Sequence, residues 1–176
     1  VTSQEADWQD RNQAAISAHV NASRVYDFYK SELKRDGVDD KGMELAFGGL
    51  NATLRDYARL GQLYLQNGTW GGEQVVPAEW VEKSVSPTAA RLQPGPNPSS
   101  DSVLGYGYQW WIPGGDEDDF LALGIYNQFV YVNPARSVVI AKSSAYPQYN
   151  KDGVAKEFET IAMFRAIARH LERDDR

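Results

Sequence analysis

Three stretches in the second half of the chain decide the fold: VLGYGYQWWI (residues 103–112), FLALGIYNQFVYV (120–132) and SVVIAKSSA (137–145). All three are rich in aromatic and β-branched residues, which favour strands. Short segments of turn residues, at 113–116 and 133–136, join them. Because short connections join antiparallel neighbours, the pattern predicts a three-stranded antiparallel meander.

Helical patterns flank the predicted meander on both sides. Residues 12–34 carry an apolar stripe with a period of about 3.6 residues, and residues 154–171 return to that spacing. Thr53 is typical of an N-cap, Gly68 of a helix end, and Pro77 of the first turn of a short helix. Helices, then a meander, then a helix predict an α+β fold in which the C-terminal helix covers one face of the sheet.

Composition excludes several classes of protein. The chain has 176 residues, no Cys and a formal net charge of −6. A disulfide scaffold and a Cys-based zinc site are therefore impossible, and the acidic balance argues against a nucleic-acid partner. No apolar run reaches the roughly 20 residues of a membrane span. Residues 1–5 are polar and acidic, unlike a signal segment, so the compartment stays open between periplasmic or secreted and cytoplasmic.

The stretch GMELAFGGLNATLRDYARLG (residues 42–61) resembles the serine hydrolase family of class C β-lactamases, penicillin-binding DD-peptidases and related esterases. The resemblance is to the branch of 6-aminohexanoate-oligomer hydrolases, and it covers about residues 42–171. It continues through GTWGG (68–72), PAEWV (77–81), YGYQWW (106–111), GIYNQFVYVNP (124–134) and the terminal helix. The resemblance implies a partial β-lactamase-like fold, hydrolysis of a small-molecule amide or ester through an acyl-enzyme, and no cofactor.

The first 45 residues resemble a different family. AHVNA (18–22), VYDFYK (25–30) and RDGVDDKG (35–42) are similar to a segment of thermolysin-type metallopeptidases upstream of their zinc motif. The predicted organisation is therefore a helical appendage at 1–41 and a C-terminal portion of a serine hydrolase domain at 42–176. Metallopeptidase chemistry needs His-Glu-x-x-His. Since His19 and His170 are the only histidines and neither lies in that motif, we expect no metal site and no peptidase activity.

Catalysis in the hydrolase family needs three parts: a Ser-x-x-Lys nucleophile, a Tyr or Ser that relays the proton, and a strand with a Lys-Thr-Gly-type triplet. Ser31 and Lys34 match the first pattern but stand outside the hydrolase-like part, so they are weak candidates that we interpret as a solvated helix face. Tyr131 begins a Tyr-x-Asn match that we interpret as cross-strand packing. The resemblance implies that the triplet's place, and with it the candidate substrate cleft, is held by Ile125, Tyr126, Asn127 and Gln128.

The leading hypothesis is a C-terminal portion of a β-lactamase-related hydrolase that is inactive alone. Related sequences usually carry Gly where this chain has Asn127, so the cleft residues could instead form an ordinary strand interrupted by polar side chains. One alternative is a non-catalytic interaction module that pairs, or self-associates, through an exposed sheet edge. Others are a fragment of a thermolysin-like metallopeptidase and a chain without an evolved function.

Overall fold

The computed structural model describes residues 30–31, 52–98, 100, 102–149, 151 and 155–174. The chain divides into two compact units, Val1–Asn51 and Ala52–Arg176. In the first unit Lys30 and Ser31 are helical and exposed, while the remainder of the helix predicted at 12–34 lies outside the described residues. All the elements below belong to the second unit.

The second unit is an α+β fold, as the sequence predicts. Its helices are α1 (Leu54–Leu65), α2 (Ala78–Val85) and α3 (Ala155–Asp174), with short 3₁₀ turns at Ala90–Leu92 and Pro134–Arg136. Its strands are β1 (Thr69–Trp70), β2 (Glu73–Gln74), β3 (Gly105–Tyr106), β4 (Trp111–Ile112), β5 (Phe120–Gly124), β6 (Gln128–Asn133) and β7 (Val138–Lys142). β1 and β2 form a small hairpin, and β3 to β7 form one antiparallel sheet in chain order.

The prediction of three strands was wrong, because this sheet has five. The stretch 103–112 folds back on itself as β3 and β4, and 120–132 divides into β5 and β6. Residues with positive φ make both reversals: Gln109 (69°) in the first, and Tyr126 (61°) and Asn127 (67°) in the second. Neither reversal contains the Pro-Gly or Asn-Gly pairs that mark tight turns. The sequence pattern therefore predicts one long strand where the structure has a hairpin.

Local chemistry fixes both ends of α1. The Thr53 hydroxyl oxygen accepts a hydrogen bond from the Asp56 amide at 3.3 Å and donates one to the Asp56 carboxylate at 2.7 Å. At the other end, Gly68 has a φ of 81°, and its amide donates to the Leu63 carbonyl at 2.8 Å. The predicted N-cap and helix end are therefore confirmed, and α2 likewise follows Pro77 directly.

Helices cover both faces of the sheet, although the sequence predicts cover on one face only. α1 packs against β6 and β7, and it lies close to them at Gly61, where an added Cβ would stand 2.6 Å from a Val139 methyl. This face, the α1 face, contains Trp110, Phe120, Ala122, Val130, Val132 and Val139. The opposite α3 face contains Leu121, Phe129, Tyr131, Val138, Ile161, Phe164 and Ala168. Side chains of β5 and β6 alternate between the two faces, as strand geometry requires.

Within the described ranges, no helix combines the length and the apolar character that crossing a membrane would require.

Candidate functional site

The most deeply buried carboxylate among the described residues, that of Asp119, joins α3 to the start of β5. The Arg165 guanidinium holds the Asp119 carboxylate through two hydrogen bonds of 2.7 Å, and Asp119 is only 3% exposed. The Tyr131 hydroxyl donates to the same carboxylate at 2.9 Å and accepts from the Asn133 amide at 3.2 Å. Because each member has its partner, this cluster fits a structural role.

The pKa shifts in this cluster also argue against a catalytic role for Tyr131. Burial raises the pKa of the Tyr131 hydroxyl well above its ordinary value, and the hydrogen bond to Asp119 raises the pKa of Arg165. A tyrosine that keeps its proton cannot serve as a general base near neutral pH. The geometry thus supports the interpretation of Tyr131 and Asn133 as packing residues.

A second ion-pair group lies close to the first. Glu117 bonds the guanidinium of Arg136 and accepts a hydrogen bond from Arg169 at 2.9 Å. Arg136 follows β6 and Arg169 lies near the end of α3, so this carboxylate joins three separate elements of the fold.

The four predicted cleft residues lie at the hairpin between β5 and β6. Ile125, Tyr126 and Asn127 form its three-residue turn, and Gln128 is the first residue of β6. The expectation that this segment continues a strand was therefore wrong. Ile125 is 58% exposed and Tyr126 is 43% exposed, and the Tyr126 ring contacts that of Tyr149 edge-on, with centroids 5.2 Å apart.

Asn127 is the most constrained residue of this turn. Its backbone carbonyl accepts a hydrogen bond of 2.7 Å from the Lys142 ammonium, which also lies 5.6 Å from the Phe129 ring centroid. Burial lowers the pKa of Lys142. The Asn127 side-chain oxygen is buried and has no hydrogen-bond partner among the residues that the structure describes.

A very small cavity lies beside Asn127. Its lining consists of Gly124, Asn127, Tyr146, Tyr149, Lys156 and Glu157, and its volume of about 10 Å³ suits a single water molecule. Burial raises the pKa of the Glu157 carboxyl at this place. The cavity is far too small for an organic substrate, so a substrate would have to bind outside it.

The outer edge of β5 offers that place. β4 pairs with β5 at a single position, Trp111 opposite Leu121. Beyond Leu121, none of the described strands pairs with this edge, so we call the outer side of residues 122–124 the open edge. Alternate backbone N–H groups of a strand point to such an edge and can bind a carbonyl oxygen. The open edge cannot be recognised in the sequence, where its one local signal is Gly124 at the end of the strand.

The catalytic candidates Ser31 and Lys34 remain a prediction. Ser31 is helical and exposed in the first unit, whereas Lys34 lies outside the described residues. In the described part of the chain, no three His, Cys, Asp or Glu side chains are grouped as a metal site would require.

Comparisons with known proteins find two different groups of relatives. The 6-aminohexanoate-dimer hydrolase of Paenarthrobacter ureafaciens is 32% identical over 133 residues, which are 73% of this chain and 34% of that protein. A solved structure from Bacillus anthracis, provisionally named 6-aminohexanoate-dimer hydrolase, superposes with a TM-score of 0.60 at 34% identity. The superposition covers 75% of this chain and 32% of that one. The chain thus spans about a third of the length of these hydrolases.

The other group consists of metallopeptidases. A family model described as the thermolysin metallopeptidase catalytic domain matches residues 1–82. Neutral protease NprE of Bacillus pumilus is 29% identical over 79 residues, which are 45% of this chain and 23% of that protein. The family match extends past residue 41 and past the unit boundary at Asn51, so the exact domain boundary stays a prediction.

Together the hydrolase matches support the β-lactamase-like family of serine hydrolases for the greater part of the chain. Within that family, the relatives carry the name 6-aminohexanoate-dimer hydrolase, which confirms the branch that the sequence predicts. The likeness of the first residues to thermolysin-type enzymes is confirmed as well.

Proposed function

We propose that the second unit supplies the substrate-holding strand edge of an amide or ester hydrolase, and that this chain alone does not turn substrate over. The open edge of β5 is the observation that carries the proposal. The relatives' name refers to a dimer of an ω-amino acid, which is a linear aliphatic amide. We therefore infer linear amides as the substrate class, with the substrate carbonyl bound by backbone N–H groups at the end of β5.

Gly124 makes the end of β5 accessible on one particular face. It stands two residues after Ala122 and four after Phe120, so a side chain at this position would point to the α1 face. A Cβ added there would lie 3.5 Å from the Gln128 Cβ, which is an ordinary contact. The fold itself therefore does not require glycine at this position, whereas close approach of a substrate to the strand does.

The chemistry of acyl transfer supports the proposed inactivity of the chain. The reaction needs an activated hydroxyl close to the donors that stabilise the oxyanion. From residue 52 onward the sequence has no Ser-x-x-Lys pattern, and Ser31 begins the one match in the whole chain. Tyr131 is buried and protonated, and the Lys142 ammonium is already bound to the Asn127 carbonyl.

A ¹⁵N NMR titration of the full chain with a linear N-alkyl alkanamide tests the binding part of the proposal. We expect saturable shifts at the backbone amides of residues 122–125, and weaker binding by Gly124→Ala. Gly114→Ala is the matched control, because its added Cβ would lie 3.7 Å from the Pro94 Cβ, again an ordinary contact. The proposal would be overturned if the chemical-shift changes were confined to residues outside 122–125. It would also be overturned if Gly124→Ala and Gly114→Ala weakened amide binding equally.

An interaction module is the second candidate, because two features of the second unit favour it. The outer edge of β7 has no partner strand among the described elements, and α3 exposes Met163 (46%), Ile167 (39%) and Leu171 (46%). These three residues follow one another at four-residue steps and so form one stripe on the helix. Size-exclusion chromatography with light scattering tests self-association: a concentration-independent monomer would count against the module.

A further inference from the structure

A stacked pair of aromatic rings stands beside the hairpin that joins β3 to β4. The rings of Trp80, from α2, and Tyr108, from the hairpin turn, lie nearly parallel, with centroids 4.9 Å apart and an interplanar angle of 18°. Tyr108 is 53% exposed, so its ring is accessible to a ligand from solvent. We call this pair the aromatic ledge.

The sequence around the ledge forces α2 against the turn. Gly107 is buried, and a Cβ added there would fall 1.7 Å from the Ser84 carbonyl oxygen, so only glycine allows this approach. Ser84 is fully buried, and its hydroxyl donates to the Trp80 carbonyl at 2.7 Å. The ledge therefore has a fixed position, since both of its rings are attached to closely packed backbone.

Strand register places the ledge at the same end of the sheet as the open edge. β4 runs antiparallel to β5 with Trp111 opposite Leu121, so moving back along the chain from Trp111 to Tyr108 leads toward Gly124. The face is also shared. Val85 of α2 and Trp110 of the turn pack in the cluster of the α1 face, the face toward which a side chain at position 124 would point.

We propose that the aromatic ledge binds the methylene chain of the linear amide whose carbonyl is held at the open edge. This inference rests on the proposed function and adds the residues that select an aliphatic chain. Aromatic faces bury CH₂ groups well. Of the charged residues of α2, Glu79 and Lys83 pair with each other at 2.5 Å. Glu82 stands two residues after Trp80, a spacing at which helix side chains do not face each other, so no unpaired charge of α2 lies on the Trp80 side of the helix.

The test uses the full chain labelled with 5-fluorotryptophan and titrated with a linear N-alkyl alkanamide, while the ¹⁵N amide signals are followed in parallel. We expect the Trp80 fluorine signal to shift with the same dissociation constant as the amides of residues 122–125. The Trp70 signal is the internal control, since this residue lies in the separate β1–β2 hairpin. Tyr108→Ala should raise the dissociation constant about three- to tenfold, whereas Tyr108→Phe should leave it unchanged.

The outcomes separate the two proposals. Shifts at residues 122–125 without a shift of Trp80 would overturn the ledge and leave the proposed function standing. A Trp80 shift without shifts at those amides would overturn the proposed function, and with it this inference. If neither probe responds up to the solubility limit of the amide, both are wrong. Equal affinity of Tyr108→Ala and the parent chain would also overturn the ledge.

Discussion

The Asp119 carboxylate joins α3 to the start of β5 through hydrogen bonds from Arg165. It accepts three hydrogen bonds from Arg165 and Tyr131, and the Asp119 side chain is 1% exposed. We expect Asp119→Asn to lower the free energy of unfolding by about 3–5 kcal/mol, because it leaves the largely buried Arg165 guanidinium without its counter-charge. Urea unfolding followed by circular dichroism measures this loss.

Glu159→Gln is the control for that measurement. It removes one charge of an exposed pair with Lys156 on the same helix and should cost about 0.5 kcal/mol or less. If Asp119→Asn cost no more than this control, the buried cluster would not hold α3 in place.

Glu157 provides a prediction about pH. Burial raises the pKa of its carboxyl above the ordinary value of 4.5, so the folded state favours the protonated form. The corresponding stability is fully present below pH 4.5 and is lost as the pH rises through the folded-state pKa. Glu157→Gln should therefore raise Tm at about pH 7, and the difference from the parent chain should shrink by about pH 4.

Thermal unfolding at the two pH values checks this behaviour. Glu159→Gln is again the matched control, because Glu159 is exposed on the same helix. A lower Tm for Glu157→Gln than for the parent chain at neutral pH would show that the ionised carboxylate is stabilising. That result would contradict the prediction that burial disfavours the ionised form.

At the scale of elements, the turn between β5 and β6 should respond to the residue at position 127. Asn127 has a φ of 67°, which β-branched residues adopt only under strain. Asn127→Val should therefore lower the free energy of unfolding by about 1–3 kcal/mol. Asn127→Gly should leave it unchanged or raise it, because glycine accepts this φ and removes the unpaired buried oxygen. Equal losses for both variants in urea unfolding would contradict this explanation of the turn.

The docking of α2 on the β3–β4 turn is tested at Gly107. Gly107→Ala would place a methyl group against the Ser84 carbonyl, and we expect a loss of at least about 1–3 kcal/mol from such overpacking. Gly114→Ala, with room for its methyl group, should cost less than about 1 kcal/mol. Equal stability of the two variants in urea unfolding would show that α2 is not packed as closely as the structure indicates.

Local signals explain which elements could be predicted from the sequence. The limits of α1 follow from Thr53, Asp56 and Gly68, whose roles depend only on their neighbours in the chain. The extra strands could not be predicted, because Gln109 and Tyr126 take a positive φ that their residue types rarely adopt, so neither residue marks a turn in the sequence.

The candidate site could be predicted only in part for the same reason. The sequence indicates residues 125–128 as a place of interest, yet Ile125, Tyr126 and Asn127 form a turn and only Gln128 belongs to a strand. The open edge of β5 depends on where β4 stops pairing, which is a contact between distant segments. The Trp80–Tyr108 stack likewise joins residues from different elements, and no local pattern indicates it.

At the scale of the whole molecule, the chain is similar to two different families. Its greater part matches about a third of the length of β-lactamase-like hydrolases, while its first residues match a metallopeptidase family whose zinc motif this sequence does not contain. Our proposal is that this chain keeps substrate-binding backbone without a working nucleophile or base.

Covalent labelling tests this central claim most directly. The full chain is incubated with a fluorophosphonate or a penicillin, and adducts are sought by intact-protein mass spectrometry with an active serine hydrolase of the family as the positive control. The account predicts an unmodified mass for this chain. A stoichiometric adduct on Ser31 that disappears in Ser31→Ala would contradict it, because the chain would then carry a working nucleophile.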